Sequence, residues 1–308
     1  MKLSQVWPEV ERIAREEGIL HVGASDLDDA HASLFADWIE RGHHASMSYL
    51  AKNVATRTHP RERFPWAKSA VVLLVPYSPD RPPAPEHALS NHIARYALGD
   101  DYHEVLDGIL RKFEVLFGEE KTWRYVDTGP LSDRALAAQA GLGWIGKNGM
   151  LIHEEHGSYF FIGVLLTSFE NDIATATVAD RCGACTRCID ACPTDAILQN
   201  RTLDSARCIS YATIEHRGPL EIEIEHNAFG CDICNEVCPW NHAPAPAHPA
   251  FAPRDEYRAT PITDLLRYTQ SDFSRLFRKS AVKRAKLAGM LRNVEALTGE
   301  GDRGMLKA

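Results

Sequence analysis

The chain has 308 residues, 44% of them hydrophobic and 25% charged, which is enough apolar material for a buried core and for two modest domains, so general disorder is set aside. Its net charge of -8, from 34 Lys and Arg against 42 Asp and Glu, excludes a globally basic nucleic-acid binder while leaving room for a local cationic patch. The first residues, Met1 to Pro8, lack the apolar stretch of a signal peptide, and the most apolar run, Tyr159 to Leu166, is too short to span a bilayer. A soluble, cytoplasmic protein with no membrane partner is expected.

From Leu3 to Gly18, apolar Val6, Val10, Ile13 and Ala14 recur at helical spacing, with Ser4 placed as N-cap and Gly18 as the stop. A short strand is expected at Ile19 to Val22. The nearly continuous β-branched and aliphatic run Ser69 to Val75 reads as a strand buried on both faces. A helix from about Tyr102 to Phe117 leads into a strand at Trp123 to Val126, and a further helix covers Arg134 to Ala140 before the Gly141-Leu142-Gly143 break. Met150 to His153 and Ser158 to Thr167 read as two strands of one hairpin, joined through Glu154 to Gly157. Composition shifts at Asp180, where Cys, Pro and short loops take over, and again after Trp240. Ala243 to Pro249 resembles a stiff extended connector, and a mostly helical tail runs from about Ile262 to Leu297. The expectation is an α+β fold: an N-terminal domain around a mixed sheet (1–175), a small ferredoxin-like domain (176–242), and a linker with a helical tail (243–308).

All eight cysteines lie between Cys182 and Cys238, and in a cytosolic chain such crowding points to metal rather than to disulfides. Cys182-x-x-Cys185-x-x-Cys188-x-x-x-Cys192-Pro193 reproduces the bacterial ferredoxin run, in which three thiolates hold one 4Fe-4S cluster and the fourth crosses to a second. Cys208, Cys231, Cys234 and Cys238-Pro239 repeat it with the leading cysteine displaced upstream. By the crossing rule Cys182, Cys185, Cys188 and Cys238 hold one cluster, and Cys192, Cys208, Cys231 and Cys234 the other. The bland alternative is a pair of tetrahedral zinc sites, which Cys-x-x-Cys pairs also suit.

Further stretches carry a family resemblance. They are Ala94-Arg95-Tyr96-Ala97-Leu98-Gly99-Asp100-Asp101-Tyr102-His103, then Asp127-Thr128-Gly129-Pro130-Leu131-Ser132-Asp133-Arg134-Ala135-Leu136-Ala137, and Gly141-Leu142-Gly143-Trp144-Ile145-Gly146-Lys147-Asn148. Cys208-Ile209-Ser210-Tyr211 and Gly230-Cys231-Asp232-Ile233-Cys234, ending in Cys238-Pro239-Trp240-Asn241, complete the set. In this order they resemble the epoxyqueuosine reductases, cobalamin-dependent iron-sulfur enzymes of tRNA modification. The resemblance implies reduction of epoxyqueuosine to queuosine at the tRNA wobble position. Cobalamin would sit in the N-terminal domain, and electrons would come through both clusters from a low-potential donor such as flavodoxin or ferredoxin. It also implies a short form, without the helical-repeat extension that many members carry. Two other readings stand beside it: another cobalamin-dependent reductase similar to the reductive dehalogenases, and a non-catalytic iron-sulfur electron carrier.

The resemblance places Asp133 as proton donor. An ordinary Asp, with a pKa near 3.9, is protonated in only about one molecule in a thousand at pH 7, so a working acid needs a rise of about three units, roughly 4 kcal/mol. The bland reading is that Asp133 caps the helix that begins here. Family position also sets Arg57, Tyr96, His153, Ser158 and Tyr211, with Asp133, around cobalamin or substrate, and the glycines from Gly141 to Gly149 would let backbone approach a corrin face. Arg275 to Arg292 carries seven cations and no acid, a local basic face on an acidic chain. Within it Lys283, Arg284 and Lys286 are the candidate tRNA phosphate contacts, against the bland reading of a solvated helix side.

Overall fold

The computed structural model describes residues 1–27, 32–52, 54–77 and 80–299. Six strands are present: β1 (His21–Ser25), β2 (Ser69–Pro76), β3 (Thr122–Tyr125), β4 (Trp144–Ile145), β5 (Leu151–Ile152) and β6 (Phe160–Thr167). Four of them form the central sheet in the order β1-β2-β6-β3, while β4 and β5 pair separately.

The eight residues of β2 are all buried, and the period of two along the strand explains why a continuous apolar run is needed. Val71, Leu73 and Val75 join Val10, Ile13, Leu106, Leu110 and Phe113 in one core. Ala70, Val72 and Leu74 join Leu136, Ala137, Ala140 and Leu142 in another on the opposite face. Helices Trp7–Glu16 and Tyr102–Glu114 therefore cover one side of the sheet, and helix Asp133–Gln139 covers the other.

Two expectations are corrected. The sheet is antiparallel at every strand pair, not mixed; an apolar run reports burial on both faces, which helices impose here without any parallel neighbour, and it carries no information on strand direction. The expected hairpin of residues 150–167 does not form either. β5 pairs with β4, and β6 inserts between β2 and β3, in register with β2 from Ser69↔Thr167 to Pro76↔Phe160. A full-length apolar ladder with β2 outweighs a local turn, of which the single His153↔Gly157 bridge is all that remains.

The chain start also differs in detail. The first helix begins at Trp7, with Pro8 in its first turn. Ser4 does not cap it, and gives its amide and hydroxyl to Asp172 at 2.9 and 2.7 Å.

The tail is a set of short pieces, among them helix Gln270–Leu276, a 3-10 turn Ala281–Ala285 and helix Lys286–Thr298. Its Tyr257, Phe277, Val282 and Met290 share one core with Leu89, Ile93 and Leu98 from the N-terminal half and with Phe229 from the cysteine-rich half. The tail thus joins the other two parts. Among the described residues no helix is long and apolar enough to cross a membrane.

Candidate active site and cluster-binding cysteines

The eight cysteines are free thiols, half-buried in loops and in helices of about one turn. They fall into two sets by mutual influence. Burial raises the Cys188 thiol first, and Cys182 and Cys238 raise it further; burial likewise raises Cys238, to which Cys182 and Cys185 add. Burial pushes Cys231 up to about 12, with contributions from Cys208 and Cys192. Cys234 is raised by burial and then by Cys231, Cys208, Cys188 and Cys192. The tertiary structure thus brings Cys208 to its set across more than twenty residues of chain, and brings Cys238 back to the first run. Only Cys188 and Cys234 speak across the divide.

Zinc would draw four sulfurs to about 3.8 Å from one another, given Zn–S bonds of about 2.3 Å. Among the described residues no three cysteine sulfurs lie mutually within 4.8 Å. A cavity lined by Cys182, Cys185, Cys188 and Cys238 together with Lys147, Asn148 and Ile152 lies at the first set.

The Gly146-Lys147-Asn148 turn grips both sets. Lys147 Nζ donates to the carbonyls of Gly183 and Cys185, each at 2.8 Å. Asn148, 3% exposed, reaches Asn235 Oδ1 at 3.3 Å, and Asn235 in turn accepts from the Ser158 hydroxyl at 3.4 Å. The glycines around this turn make room for the protein's own chain and not for a corrin face. A Cβ at Gly143 would collide with the Ile152 carbonyl, one at Gly146 with the Ile152 side chain, and one at Gly141 would sit 2.8 Å from the Ala176 carbonyl. Asp232, between Cys231 and Cys234 and 5% exposed, accepts from the Arg95 amide at 2.8 Å and pairs with the Arg95 and Arg81 guanidiniums at 3.2 and 3.3 Å. This ties the second set to the N-terminal half.

Asp133 occupies the first position of helix Asp133–Gln139, with Ser132 as the cap residue. The capping reading therefore fails for Asp133 itself. Its Oδ1 accepts from the Arg134 amide at 2.7 Å, and among the described residues Oδ2 has no hydrogen-bond partner. The loop before it is pinned by Tyr125, whose hydroxyl donates to the carbonyls of Asp127 and Leu131 at 2.8 and 2.9 Å. Asp127 has a left-handed backbone, φ +48°, and accepts from the Tyr102 hydroxyl at 2.8 Å.

Burial pushes the Asp133 carboxyl above the ordinary range; Arg134 opposes this and Asp127 adds to it. Burial would raise Asp127 too, but hydrogen bonds from His103 and Tyr102 hold it below its usual value. Yet their side chains are 24% and 59% exposed. Both carboxyls therefore still meet solvent at the Asp133 site. Beside it Arg57 donates Nη1 to the Leu131 carbonyl at 3.1 Å, while its buried Nε has no partner. A buried orphan donor suits the amide-bearing rim of a corrinoid.

The remaining candidates divide. Tyr96 is packed among Tyr102, Phe161 and Phe229, and Asp127 contributes to its raised pKa after burial. Tyr211 shares a 2.6 Å hydrogen bond with the Ser46 hydroxyl, joining the segment before helix Ser48–Ala51 to the second cysteine set. Ser158, 2% exposed, is taken up by Asn241 and Asn235. His153 stacks on His21 with ring centroids 3.7 Å apart and lies beside His156.

The basic stretch is broken over three elements. Arg284 is committed to Glu215 through two bonds of 2.8 and 2.9 Å and lies over the Tyr49 ring. Arg292 is spent on the carbonyls of Ala212, His216 and Gly218. Lys283 and Lys286 are exposed, with no ion pair among the described residues. Sequence reasoning missed the His103–Asp127 pair and the His21 and His156 contacts, although His103 and Asp127 each sit in a stretch that carries the resemblance.

Two family models match the chain: "4Fe-4S double cluster binding domain" over residues 181–241 and "Epoxyqueuosine reductase QueG, DUF1730" over residues 57–128. The chain is 35% identical over 302 residues to the epoxyqueuosine reductase of Cyclobacterium marinum, covering 94% of this chain and 96% of that protein. It is 38% identical over 292 residues to that of Synechocystis, covering 91% and 99%. Among solved structures, an epoxyqueuosine reductase with an epoxyqueuosine-modified tRNA-Tyr stem loop superposes with a TM-score of 0.84 at 30% identity, covering 95% of this chain and 80% of that one. The Bacillus subtilis epoxyqueuosine reductase, solved with an aspartate-bearing catalytic loop swung out of the active site, superposes with a TM-score of 0.83 at 29% identity, covering 95% and 81%.

Proposed function

The chain belongs to the epoxyqueuosine reductase family, and from that premise we propose that the Asp133 site is where epoxyqueuosine in tRNA is reduced to queuosine, with Asp133 as the proton donor. The observation that carries this reading is a carboxyl at the first position of helix Asp133–Gln139 with one oxygen bound to the Arg134 amide, the other without a protein partner among the described residues, a side chain that still meets solvent, and a pKa that burial raises. The protein is an oxidoreductase holding two 4Fe-4S clusters on the two cysteine sets.

The chemistry balances as follows. The epoxide oxygen leaves as water, the two carbons that carried it become an alkene, and the step takes two electrons and two protons. Side chains do not supply such electrons. A corrinoid held over Asp133, with Arg57 donating to its rim, would supply the low-potential metal centre that delivers them, fed through the clusters by an external carrier such as flavodoxin or ferredoxin.

The chain's own residues handle the protons and the positioning. Asp133 holds a proton on Oδ2, the oxygen without a protein partner, where it can be given to the leaving oxygen. Arg134 Nη1 donates to the Gly149 carbonyl, which holds the guanidinium toward the glycine loop and limits how far it lowers the Asp133 pKa. Tyr125 fixes the loop that carries the acid. Lys283 and Lys286 are the proposed contacts for tRNA phosphates.

The test is single turnover on a stem loop bearing epoxyqueuosine, using anaerobic protein loaded with both cofactors and following queuosine by mass spectrometry. Asp133→Asn is expected to lower the rate by at least about a hundredfold while cobalamin absorbance and stem-loop affinity stay unchanged. Full turnover by the loaded variant would remove Asp133 from this role.

A further inference from the structure

On the far end of helix Asp133–Gln139 from the acid lies a second group of titratable side chains that the reaction above does not use. His21 at the start of β1, His153 at the end of β5 and His156 in the following turn offer ring nitrogens that all lie within 4.8 Å of one another. His21 Nε2 and His156 Nδ1 are 3.0 Å apart, and the rings of His21 and His153 are stacked. We propose that His21, His153 and His156 form a binding site for one divalent first-row transition metal, zinc being the test ion, separate from the cysteine clusters.

Four observations carry it. Three imidazoles around zinc at about 2.0–2.1 Å require nitrogens about 3.3 Å apart; the His21–His156 pair stands at 3.0 Å and all three nitrogens lie within 4.8 Å of one another. His153 and His156 share the turn after β5 and His21 comes from β1, so the tertiary fold brings the third ligand to a local pair. His21 and His153 border a cavity of about 330 Å³, lined also by Gly141, Gly143, Glu154 and Glu155, which leaves room for a fourth ligand. Glu155 Oε2 is 4.0 Å from His156 Nδ1, within reach of that position by a side-chain rotation. Three protein nitrogens with an open fourth place is the donor set of an exchangeable zinc site, and imidazole suits zinc, nickel and copper better than magnesium or calcium.

Electrostatics agree. Burial, then His153 and His156, lower the His21 pKa to about 3, and burial, then His156, lower His153. Neutral rings are the form that binds metal. The bland alternative is a packed histidine stack that merely fills the sheet edge. It accounts for one His–His hydrogen bond but not for three convergent nitrogens at a cavity mouth.

The experiment titrates zinc into the full chain with both clusters loaded, so that the cysteines are occupied, and follows binding by calorimetry and zinc-edge X-ray absorption. Expected are one zinc per chain and a first shell of nitrogen and oxygen at about 2.0–2.1 Å. His156→Ala and His21→Gln should each lower zinc affinity at least about tenfold with iron content unchanged. A sulfur shell at about 2.3 Å, or unaltered affinity in His156→Ala, would overturn the proposal. His156 sits in a turn and is the decisive variant should His21→Gln fail to fold. The reading of Asp133 is untouched by either result, since its test reads queuosine.

Discussion

Asp133 and His103 are both shifted by Asp127, one as a buried acid and the other as a paired base. For Asp133 the folded pKa lies above the unfolded value of 3.8, so the stability tied to its proton is fully present below that value and is lost as pH rises through the folded pKa. The same Asp133→Asn change that stops turnover should therefore raise the melting temperature, by more at about pH 8 than at about pH 5.5. Loss of stability on removing the charge would show that the carboxylate is held by partners and is no acid. The His103 pKa rises too, but for a different reason, so its contribution fades with rising pH in the same sense. Burial lowers its pKa, but Asp101 at 2.8 Å and Asp127 at 3.5 Å outweigh that and raise it to about 9 from an ordinary 6.5. Its stabilising charge is fully present below 6.5 and fades as pH rises through 9. His103→Gln should flatten the stability profile across that window in thermal melts, and an unchanged slope would mean that the ring stays neutral.

At the scale of elements, the cysteine loops are held by the chain around them as much as by their own spacing. Lys147 and Asn148 clamp one loop from each half, and Asp232 anchors the second set to Arg95 and Arg81. Burial raises the Asp232 pKa although both arginines pull it down, as expected of a carboxylate whose desolvation is barely offset. Asp232→Ala removes the acidic partner of the half-buried Arg81 and leaves Arg95 paired with Glu236. It should cost about 3–5 kcal/mol, read as a lower denaturation midpoint and as iron lost from the set that includes Cys231 and Cys234. Retention of all iron at wild-type stability would make Asp232 a bystander. The glycine-rich turn was legible as a place where backbone comes close to something; that the something is Ile152 and Ala176, not a cofactor, depends on β4 pairing with β5.

For the whole molecule, the tail core built on Tyr257, Phe277 and Met290 holds the strand-rich half and the cysteine-rich half together. The basic stretch carried by that tail is mostly consumed in doing so. Arg284 and Arg292 are committed to Glu215 and to backbone carbonyls, and Arg275 and Lys279 to Asp272 and Glu104. That leaves Arg278, Lys283 and Lys286 exposed with no ion pair among the described residues, and of these Lys283 and Lys286 are the proposed phosphate contacts. Reversing both charges, Lys283→Glu with Lys286→Glu, should weaken binding of the modified stem loop and flatten its logarithmic salt dependence by about one to two, measured by anisotropy at several salt concentrations. Arg284→Ala should instead lower stability. Equal salt slopes in wild type and the double variant would assign tRNA contact to another face.

The sequence by itself determined the cluster chemistry, because Cys-x-x-Cys spacing and the following prolines are local properties of the chain, and it located β2 and the helix after Asp101, because burial period is local too, while Asp133 was singled out by the family resemblance. Tertiary structure alone decided that β6 pairs with β2 rather than with β5, that His153 stacks on His21, and that Arg284 is paired. Each of these turns on competition between partners distant in sequence, where packing of whole ladders and the desolvation of charges outweigh any preference that neighbouring residues express.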